Sequence, residues 1–347
     1  MTSQTWRLRV PDLRTLVHTH DHSRASWTAA GLVATLVVVV WVIGANAPDD
    51  SSAKVSEIPQ ALVDGVRLGL VIATASIGLS LIFGTTKLIN FAHGELITLG
   101  AIVAWSVQSH GVPLWIAATI AAVAGAAFGG LLETALWRPL RRRRTGLFQL
   151  LIISLGLSLA LRHIFLIFFS GANRAYSSYR IQDSLHFWGV SITPRDLGLI
   201  VISLALLGAV AWMLQNTPIG QAMRAVADNR DLAEASGISV KRVILVVWML
   251  GSGLAAVSGV LLGLDGGVTW DMGFGILLMV FAAVILGGLG KAYGAMVGGV
   301  LIGVVSQLST LYSPPELRVF WALLVLIAVL LVRPEGILGS RHTTRVG

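Results

Sequence analysis

The stretch that decides the fold is Gly84 to Gly94, which reads Gly-Thr-Thr-Lys-Leu-Ile-Asn-Phe-Ala-His-Gly and is followed directly by Glu95. It lies between two apolar runs. Its glycines, lysine, asparagine and histidine suit a continuous membrane helix poorly, because polar groups in hydrocarbon are costly unless they are buried in protein or face a water-filled path. We therefore predict a break in a membrane helix bundle at 84–94, either a true loop or a re-entrant turn.

The composition on both sides of this stretch is typical of an integral membrane protein. Of the 347 residues, 55% are hydrophobic and only 12% are charged, and the mean hydropathy is +0.80. A spanning helix needs about 20 predominantly apolar residues, and such runs recur from Trp27 to the end. The sequence predicts an all-α, multi-pass protein of the cell membrane. It contains no Cys, and its His residues are scattered, so we expect no disulfide and no metal site.

Charge predicts the orientation. The net charge of +8 fits cytoplasmic loops, where Lys and Arg concentrate, better than it fits a nucleic-acid partner. The densest positive cluster, Trp-Arg-Pro-Leu-Arg-Arg-Arg-Arg at 137–144, is therefore placed in the cytoplasm. Alternating the spans from this point predicts about ten transmembrane helices, with both the N-terminus and the C-terminus in the cytoplasm.

The predicted spans begin with an additional N-terminal helix. Residues 1–26 form a basic cytoplasmic tail, and 27–46 form an apolar run that is either a retained transmembrane helix or a signal peptide. We favour the helix, because the apolar region of a signal peptide is usually only about 7 to 15 residues long. The remaining spans are predicted at about 62–83, 95–108, 114–136, 146–169, 197–214, 243–264, 274–286, 295–308 and 319–332.

The substantial hydrophilic segment on the cytoplasmic side is 215–241. Thr217 followed by Pro218 is typical of a helix N-cap with Pro at the first helical position, and Met223 and Val226 then fall on one helix face. This pattern predicts a short helix that lies along the membrane surface and whose small, Ala-rich face admits another protein closely. An ordinary solvated connection is the alternative.

A second short helix is predicted within the same segment. Asp228 and Asp231 are suited to its N-cap, and Gly237 is suited to a left-handed C-cap. Ser239 can then cap the span that follows.

Two motifs in this order resemble the permease family of branched-chain amino acid ABC importers. The first is Ile89-Asn-Phe-Ala-His-Gly-Glu95, and the second is Thr217-Pro-Ile-Gly-Gln-Ala-Met-Arg-Ala-Val-Ala-Asp-Asn229. The resemblance covers about 62–339, which we interpret as the importer permease domain. The additional helix at 27–46 departs from the shorter members of the family.

The resemblance implies a subunit that pairs with a second, related permease and sits on two cytoplasmic ATPase subunits, while an extracytoplasmic binding protein delivers the substrate. It also implies that 215–241 is a coupling segment within the domain. The positions expected to dock on the ATPases are Gly220, Arg224, Ala225, Asn229, Ala233 and Gly237. The wider importer signature Glu-Ala-Ala, three residues, Gly is only approximated here, and its trailing Leu-Pro is absent.

No ATP site is predicted in the chain itself. The nearest approach to a phosphate loop, Gly287-Gly-Leu-Gly-Lys291, lacks a Gly at the required spacing before Gly290, and Ala292 stands where Ser or Thr would bind magnesium. We expect no cofactor in this chain, with ATP bound by the partner subunits.

For the break itself, two roles are open. Asn90, Phe91, His93, Gly94 and Glu95 either line the translocation path in the cytoplasmic half of the bundle or only join this subunit to its partner permease.

Ionisable residues elsewhere in the spans also need an explanation. Arg162 and His163 lie within the span at 146–169, and an intramembrane ionisable pair is a functional candidate by default. Snorkelling of Arg162 to the outer surface explains it as well, and we favour that interpretation. Asp64 and Arg67 are expected to pair with each other, and Glu133 can reach the basic cluster that follows it.

The sequence thus predicts a permease subunit, not an enzyme, that moves branched-chain or related amino acids into the cytoplasm. A urea or short-chain amide permease of the same superfamily is the alternative within transport. An ion-coupled secondary transporter would need acidic residues at mid-membrane, and the sequence places Glu95 and Glu133 near the ends of spans. A membrane enzyme would need a catalytic constellation, and none is recognisable.

Overall fold

The computed structural model describes residues 51–176, 183–187 and 190–339, with side chains from 56 onward. The predicted basic tail at 1–26 and the additional helix at 27–46 lie outside the described residues.

Helices make up most of the described chain. In order they are α1 (Ser51–Thr86), α2 (His93–Gln108), α3 (Leu114–Leu132), a π-helical turn (Glu133–Trp137), α4 (Arg138–Arg142), α5 (Leu147–Phe169), α6 (Pro194–Asn216), α7 (Pro218–Asp228), α8 (Arg230–Ala235), α9 (Val240–Gly266), α10 (Met272–Gly287), α11 (Ala292–Ser309), a 3-10 turn (Pro315–Leu317) and α12 (Arg318–Val332). Between α5 and α6, β1 (Leu185–Phe187) pairs antiparallel with β2 (Val190–Ile192), with Leu185 opposite Ile192.

Seven helical stretches of the described chain are long and apolar enough to cross a membrane. They are Ser56–Thr86, Leu114–Arg142, Leu147–Phe169, Pro194–Asn216, Val240–Gly266, Ala292–Ser309 and Pro315–Val332, and α10 is a shorter apolar helix. These helices confirm an all-α, multi-pass membrane protein. The count of about ten spans and the cytoplasmic placement of both termini stay predictions.

Two of the predicted span limits were wrong. The span predicted at 62–83 begins at Ser51, and the span predicted at 114–136 continues through the π-helical turn to Arg142. Hydropathy detects only the part of a helix that is apolar, whereas the backbone hydrogen bonds continue into polar residues. In the second helix Arg141 Nη2 donates to both carboxylate oxygens of Glu133, at 2.5 and 2.7 Å, which confirms that Glu133 reaches the basic cluster.

The centre of the bundle is α1, which packs along α11 and also contacts α9. Glycines permit this packing: a Cβ at Gly65 would lie 2.8 Å from the Cα of Val304, and one at Gly303 would collide with the backbone of Gly69. Small residues let helix backbones approach closely in lipid, where the hydrophobic effect adds little between helices.

The bundle has two chemically different ends. At one end, which we call the basic end, Trp137 next to α4 stacks on Trp248 of α9 (centroids 5.7 Å apart), and α7 meets the end of α1. This end carries Lys87, Arg138, Arg141, Arg142, Arg143, Arg144, Arg224, Arg230, Lys241, Arg242, Lys291 and Arg333, together with fewer acidic residues, Glu133, Asp228, Asp231, Glu234 and Glu335. The opposite end, which we call the hairpin end, holds β1 and β2 and carries Glu57, Asp64, Asp183, Asp196, Asp265, Asp271 and Glu316, together with fewer basic residues, Arg67, Arg174, Arg195 and Arg318.

One arginine joins three helices at the hairpin end. Arg67 of α1 pairs with Asp64 at 3.5 Å, as predicted, but also with Asp265 of α9 at 2.9 Å and with Asp196 of α6. The Asp196 carboxylate additionally accepts hydrogen bonds from the Thr193 backbone and hydroxyl at the start of α6. The cluster therefore fastens α1, α6 and α9 to one another.

Candidate functional site

The break is shorter than predicted. The helical backbone of α1 continues through Gly84 to Thr86, and only 87–92 are non-helical. Lys87 adopts a left-handed conformation with φ of 57°, and the Leu88 N–H donates to Thr86 Oγ1 at 3.3 Å. These two features end α1 and turn the chain back.

After this turn, the chain re-enters the bundle. The Phe91 N–H donates to Ser154 Oγ of α5 at 3.2 Å, the Phe91 ring lies 5.0 Å from that of Phe281 in α10, and His93 Nε2 lies 3.0 Å from the Ala75 carbonyl oxygen of α1. At 1.5 Å per residue, these three contacts lie about 9 to 17 Å inside the basic ends of their helices. The chain therefore begins its next crossing, from the basic end toward the hairpin end, as irregular backbone that is enclosed by protein, which is the arrangement that such backbone at membrane depth requires.

Three polar residues of this stretch are completely buried. Asn90, His93 and Glu95 each have 0% of their surface exposed. Asn90 Oδ1 accepts from the Ala92 N–H at 3.2 Å, and the His93 N–H donates to the Asn90 carbonyl at 3.3 Å, so Asn90 shapes the turn that starts α2. A carbonyl oxygen only accepts, so His93 Nε2 carries the hydrogen that is donated to Ala75.

Each of these side chains keeps one polar atom free of protein partners. Within the described residues, Asn90 Nδ2, His93 Nδ1 and Glu95 Oε2 form no hydrogen bond. Nδ2 is a donor, and the other two atoms are acceptors in this tautomer. The start of α2 therefore presents both kinds of group at membrane depth.

Glu95 is compensated by α5. Its Oε1 accepts from Ser158 Oγ at 3.0 Å and from Arg162 Nε at 3.3 Å. The Arg162 guanidinium also lies 3.4 Å from the centroid of the Phe274 ring, and its side chain is only 13% exposed. The snorkelling interpretation was wrong, because Arg162 turns inward to a buried carboxylate. His163 instead points outward and donates from Nδ1 to the Leu159 carbonyl at 2.7 Å.

Gly94 allows α2 to start in close contact with α10. A Cβ at Gly94 would lie 2.9 Å from the Gly273 carbonyl oxygen, and one at Gly273 would collide with the Gly94 backbone. The Gly273 N–H donates to Thr98 Oγ1 at 3.0 Å. The first turns of the two helices are thus clamped together beside Glu95.

The predicted residues of the break are therefore brought together, and several of their partners were missed. Ser154, Ser158 and Arg162 are spaced four residues apart, which places them on one face of α5. A polar stripe at this spacing in an otherwise apolar helix is the signal that could have identified them. Nothing local in the sequence indicates the Phe274 contact.

The coupling segment has the predicted form of two short helices. Thr217 Oγ1 accepts from the Gly220 N–H at 3.1 Å, and Gly237 adopts the predicted left-handed conformation with φ of +85°. The predicted second N-cap was wrong: Asp228 is the last residue of α7, and the cap is Asn229, whose Oδ1 accepts from the Leu232 N–H at 3.0 Å. Asn229 takes this role because its extended backbone separates the two helices.

The six predicted docking positions differ in accessibility. Gly220 and Ala233 are buried against the bundle, and Ala225 is half-buried, whereas Arg224, Asn229 and Gly237 are exposed. A Cβ at Gly220 would collide with the end of α6, so this glycine folds α7 back against the bundle. The exposed three are the positions that another protein can contact directly.

The coupling segment and the break meet at one junction. A Cβ at Gly84, just before the end of α1, would lie 3.2 Å from the Gly290 carbonyl oxygen and 3.7 Å from Ala227 Cβ of α7. A cleft of about 660 Å³ opens beside this junction, and its lining includes Lys87 and Lys291. Displacement of α7 would therefore act on the end of α1 immediately before the break.

The glycine-rich turn at 288–291 has a structural role at this junction. Gly288 and Gly290 have φ of +106° and +77°, which glycine adopts without strain. The Ile337 and Leu338 N–H groups donate to the last carbonyls of α10, at 2.8 and 3.2 Å, so the chain after α12 caps that helix. Among the described residues no group of three or more His, Asp or Glu side chains could hold a metal ion.

Comparison with known proteins identifies the family. A sequence model described as the branched-chain amino acid transport system permease component matches residues 61–330. The high-affinity branched-chain amino acid transport system permease protein LivH of Escherichia coli K12 is 32% identical over 302 residues, which is 83% of this chain and 97% of the relative. LivH of Salmonella typhimurium is 31% identical over 301 residues, with the same coverage. BraD of Pseudomonas aeruginosa, a permease protein of the same description, is 30% identical over 302 residues, again 83% and 97% of the two chains.

No solved structure matches the chain significantly. The family match spans the break, the coupling segment and most of the described helices. This multi-pass protein of the cell membrane is a transport permease and belongs to the branched-chain amino acid transport system permease family.

Proposed function

We propose that this chain is a permease subunit of an ABC importer that translocates branched-chain or related amino acids into the cytoplasm. The observation that carries the proposal is the junction at the basic end, where α7 touches the end of α1 directly before a break with buried polar groups. A force applied to α7 from outside the membrane therefore has a short route to the irregular backbone of the break at 87–92.

The partners follow from this arrangement and from the family. The basic end faces the cytoplasm, because Lys and Arg concentrate in cytoplasmic loops. Two ATPase subunits dock there on the exposed positions Arg224, Asn229 and Gly237, and they bind and hydrolyse the ATP. A second, related permease completes the membrane part, and an extracytoplasmic binding protein delivers substrate to the hairpin end.

In this mechanism, closure of the ATPases moves α7 against Gly84. The end of α1 then shifts, and with it the turn at Lys87 that leads into the break. Contacts of Phe91 with Phe281 and of Glu95 with Arg162 join the break to α10 and α5, so these helices rearrange together and open the path alternately to each side. The free polar atoms of Asn90 and His93 are buried in this conformation, and the rearrangement exposes them to a solute in that path.

The alternative functions have less support. The three relatives reported above carry branched-chain amino acid names, and nothing in the described residues favours a urea or short-chain amide permease. Glu95 lies deeper than the sequence indicated, since α2 starts inside the bundle, and an ion-coupled transporter would use such a carboxylate. Here, however, one oxygen of this carboxylate is paired with Arg162, which argues against a carboxylate that is free to carry a proton or sodium.

The deciding experiment is uptake of labelled leucine into proteoliposomes that contain this chain, a second permease and the ATPases, with the binding protein inside or outside. We expect uptake that requires both ATP and the binding protein. Uptake that an ion gradient drives without ATP would refute the proposal. Glu95→Gln would then be the next variant, because it removes the buried carboxylate and keeps the size of the side chain.

A further inference from the structure

We infer that the turn between α4 and α5 binds the headgroup of an anionic phospholipid in the leaflet at the basic end. Three consecutive arginines lie in or beside this turn, Arg142, Arg143 and Arg144, and all three are exposed. None of their side chains forms an ion pair or hydrogen bond within the described part of the chain. The inference concerns lipid and does not depend on what the protein transports.

The two arginines that precede this group, Arg138 and Arg141, do have a carboxylate partner. Arg141 and Arg138 approach Glu133, at 2.5 and 3.6 Å, and Glu133 is 1% exposed. Glu133 therefore offsets one of the two positive charges on the side of the cluster that faces the bundle. The three arginines that follow have no carboxylate partner within the described residues, and their three positive charges face outward.

The helix length places these arginines at the level of lipid headgroups. The helix Leu114–Arg142 has 29 residues, which is about 43 Å at 1.5 Å per residue. A bilayer measures about 40–45 Å with its headgroups and about 30 Å without them. Trp115, which is 72% exposed, marks the interface at the other end, as tryptophans commonly do. Glu133 then lies near the edge of the hydrocarbon, and Arg142 lies in the opposite headgroup layer.

Apolar side chains continue directly from the cationic group. Leu147 and Phe148, at the start of α5, are 60% and 73% exposed and point away from the protein core. A phospholipid presents the matching sequence of groups, a phosphate and then acyl chains. An acidic protein surface would match the arginines but not these two side chains, which is why we favour lipid as the occupant.

The turn is also held in one conformation. Arg144 is left-handed with φ of 56°, and Thr145 donates to the Leu140 carbonyl both from its N–H at 3.3 Å and from its hydroxyl at 2.8 Å. The Arg143 N–H donates to the Pro139 carbonyl at 3.1 Å. Guanidinium groups form paired hydrogen bonds with phosphate oxygens, and a turn that is already ordered loses little freedom when it does so.

The test is native mass spectrometry of the full-length chain in detergent, titrated with phosphatidylglycerol or with phosphatidylcholine of the same acyl chains. We expect the wild-type protein to retain phosphatidylglycerol at least about 10-fold more tightly. Changing Arg142, Arg143 and Arg144 together to Gln should reduce that preference to near unity. Millimolar inorganic phosphate should not displace the lipid, because it lacks acyl chains for Leu147 and Phe148.

The matched control changes Arg224, Arg230 and Arg242 together to Gln. These residues are also exposed at the basic end, and the loss of charge is the same. The control should keep the wild-type preference. If both triple variants lose the preference for phosphatidylglycerol to the same extent, the lipid is attracted by the overall positive charge of the protein, and the inference is overturned. An unchanged lipid preference in the first variant, with loss of ATPase co-purification, would overturn it in favour of a protein-binding surface.

A second measurement covers the case in which the triple variant does not fold. Phe148→Ser removes an exposed apolar side chain and leaves every arginine in place. We expect it to weaken phosphatidylglycerol binding several-fold and to make inorganic phosphate a better competitor. Unchanged binding in this variant would refute a site that holds both headgroup and acyl chain.

Discussion

Replacing Arg162 by Met tests whether the charge at membrane depth is held by Glu95 or directed to the surface. At 3.3 Å and an effective dielectric constant of about 20, the two charges attract by about 5 kcal/mol. Removing one partner of such a buried pair typically costs about 3–5 kcal/mol, because the other charge stays buried. Ser158 still donates to Glu95 in the variant, so we expect the free energy of unfolding to fall by about 3 kcal/mol.

The snorkelling interpretation makes the opposite prediction. If Arg162 were directed toward lipid and the interface, its replacement by Met would raise the free energy of unfolding, because an apolar side chain is favoured in lipid. The sign of the change therefore separates the two arrangements. Thermal unfolding of the purified protein in detergent measures it, and for a chain of this length a loss of this size corresponds to roughly 4 °C in the unfolding midpoint.

Two further variants complete this test. Arg162→Met combined with Glu95→Gln removes both charges and should recover most of the lost stability. His163→Met changes the adjacent, outward-pointing residue and should cost less than about 1 kcal/mol, since it loses only a bond to Leu159. If Arg162→Met is as stable as His163→Met, or if the double variant is no better than the single one, the buried ion pair does not exist.

The remaining predictions concern the break, the coupling segment and the hairpin end. Gly94→Leu should abolish uptake, because even a Cβ there would approach the Gly273 carbonyl to 2.9 Å. The control Gly275→Leu should be tolerated, because a Cβ at Gly275 meets no atom within 4 Å. Equal uptake in both variants would show that the close contact between Gly94 and Gly273 is dispensable. Arg224→Glu should leave the protein inserted in the membrane but uncouple uptake from ATP hydrolysis. The control Arg318→Glu, at the hairpin end, should leave uptake coupled. Wild-type uptake by the Arg224→Glu variant would contradict docking at α7. Arg67→Met should lower the free energy of unfolding by about 3 kcal/mol, because three carboxylates lose their cation. An unchanged thermal midpoint would contradict the role of this cluster in fastening α1, α6 and α9.

Local signals explain what could be predicted from the sequence. The cap at Thr217, the Pro at the first position of α7 and the left-handed Gly237 depend on residues within a few positions of each other, so their pattern is readable along the chain. The same holds for the apolar spans, since the cost of polar groups in hydrocarbon acts on each residue separately. The prediction failed where two neighbouring residues could both cap the next helix. Asn229 caps α8 because the backbone of Asn229 is extended, whereas Asp228 still belongs to α7.

Contacts between distant parts of the chain could not be predicted in this way. The break was recognised from its composition, but its depth depends on Ser154, Phe281 and Ala75, which come from three other helices. The orientation of Arg162 likewise depends on a carboxylate at the start of α2, which the break places inside the bundle. With Glu95 at the end of a span, as first predicted, snorkelling would have been the favourable arrangement.

The sequence by itself determined that this is a helical membrane protein of the branched-chain amino acid permease kind, with a break before α2 and a capped segment at the basic end. Hydropathy, capping and motif order depend on residues that are close along the chain, so they can be recognised without knowledge of the fold. Only the tertiary structure decided that the break re-enters the bundle, that Arg162 compensates Glu95 and that α7 touches the end of α1. Those three facts depend on which helices pack together, and in lipid that choice is made by close backbone contacts and buried polar pairs that no single stretch of sequence contains.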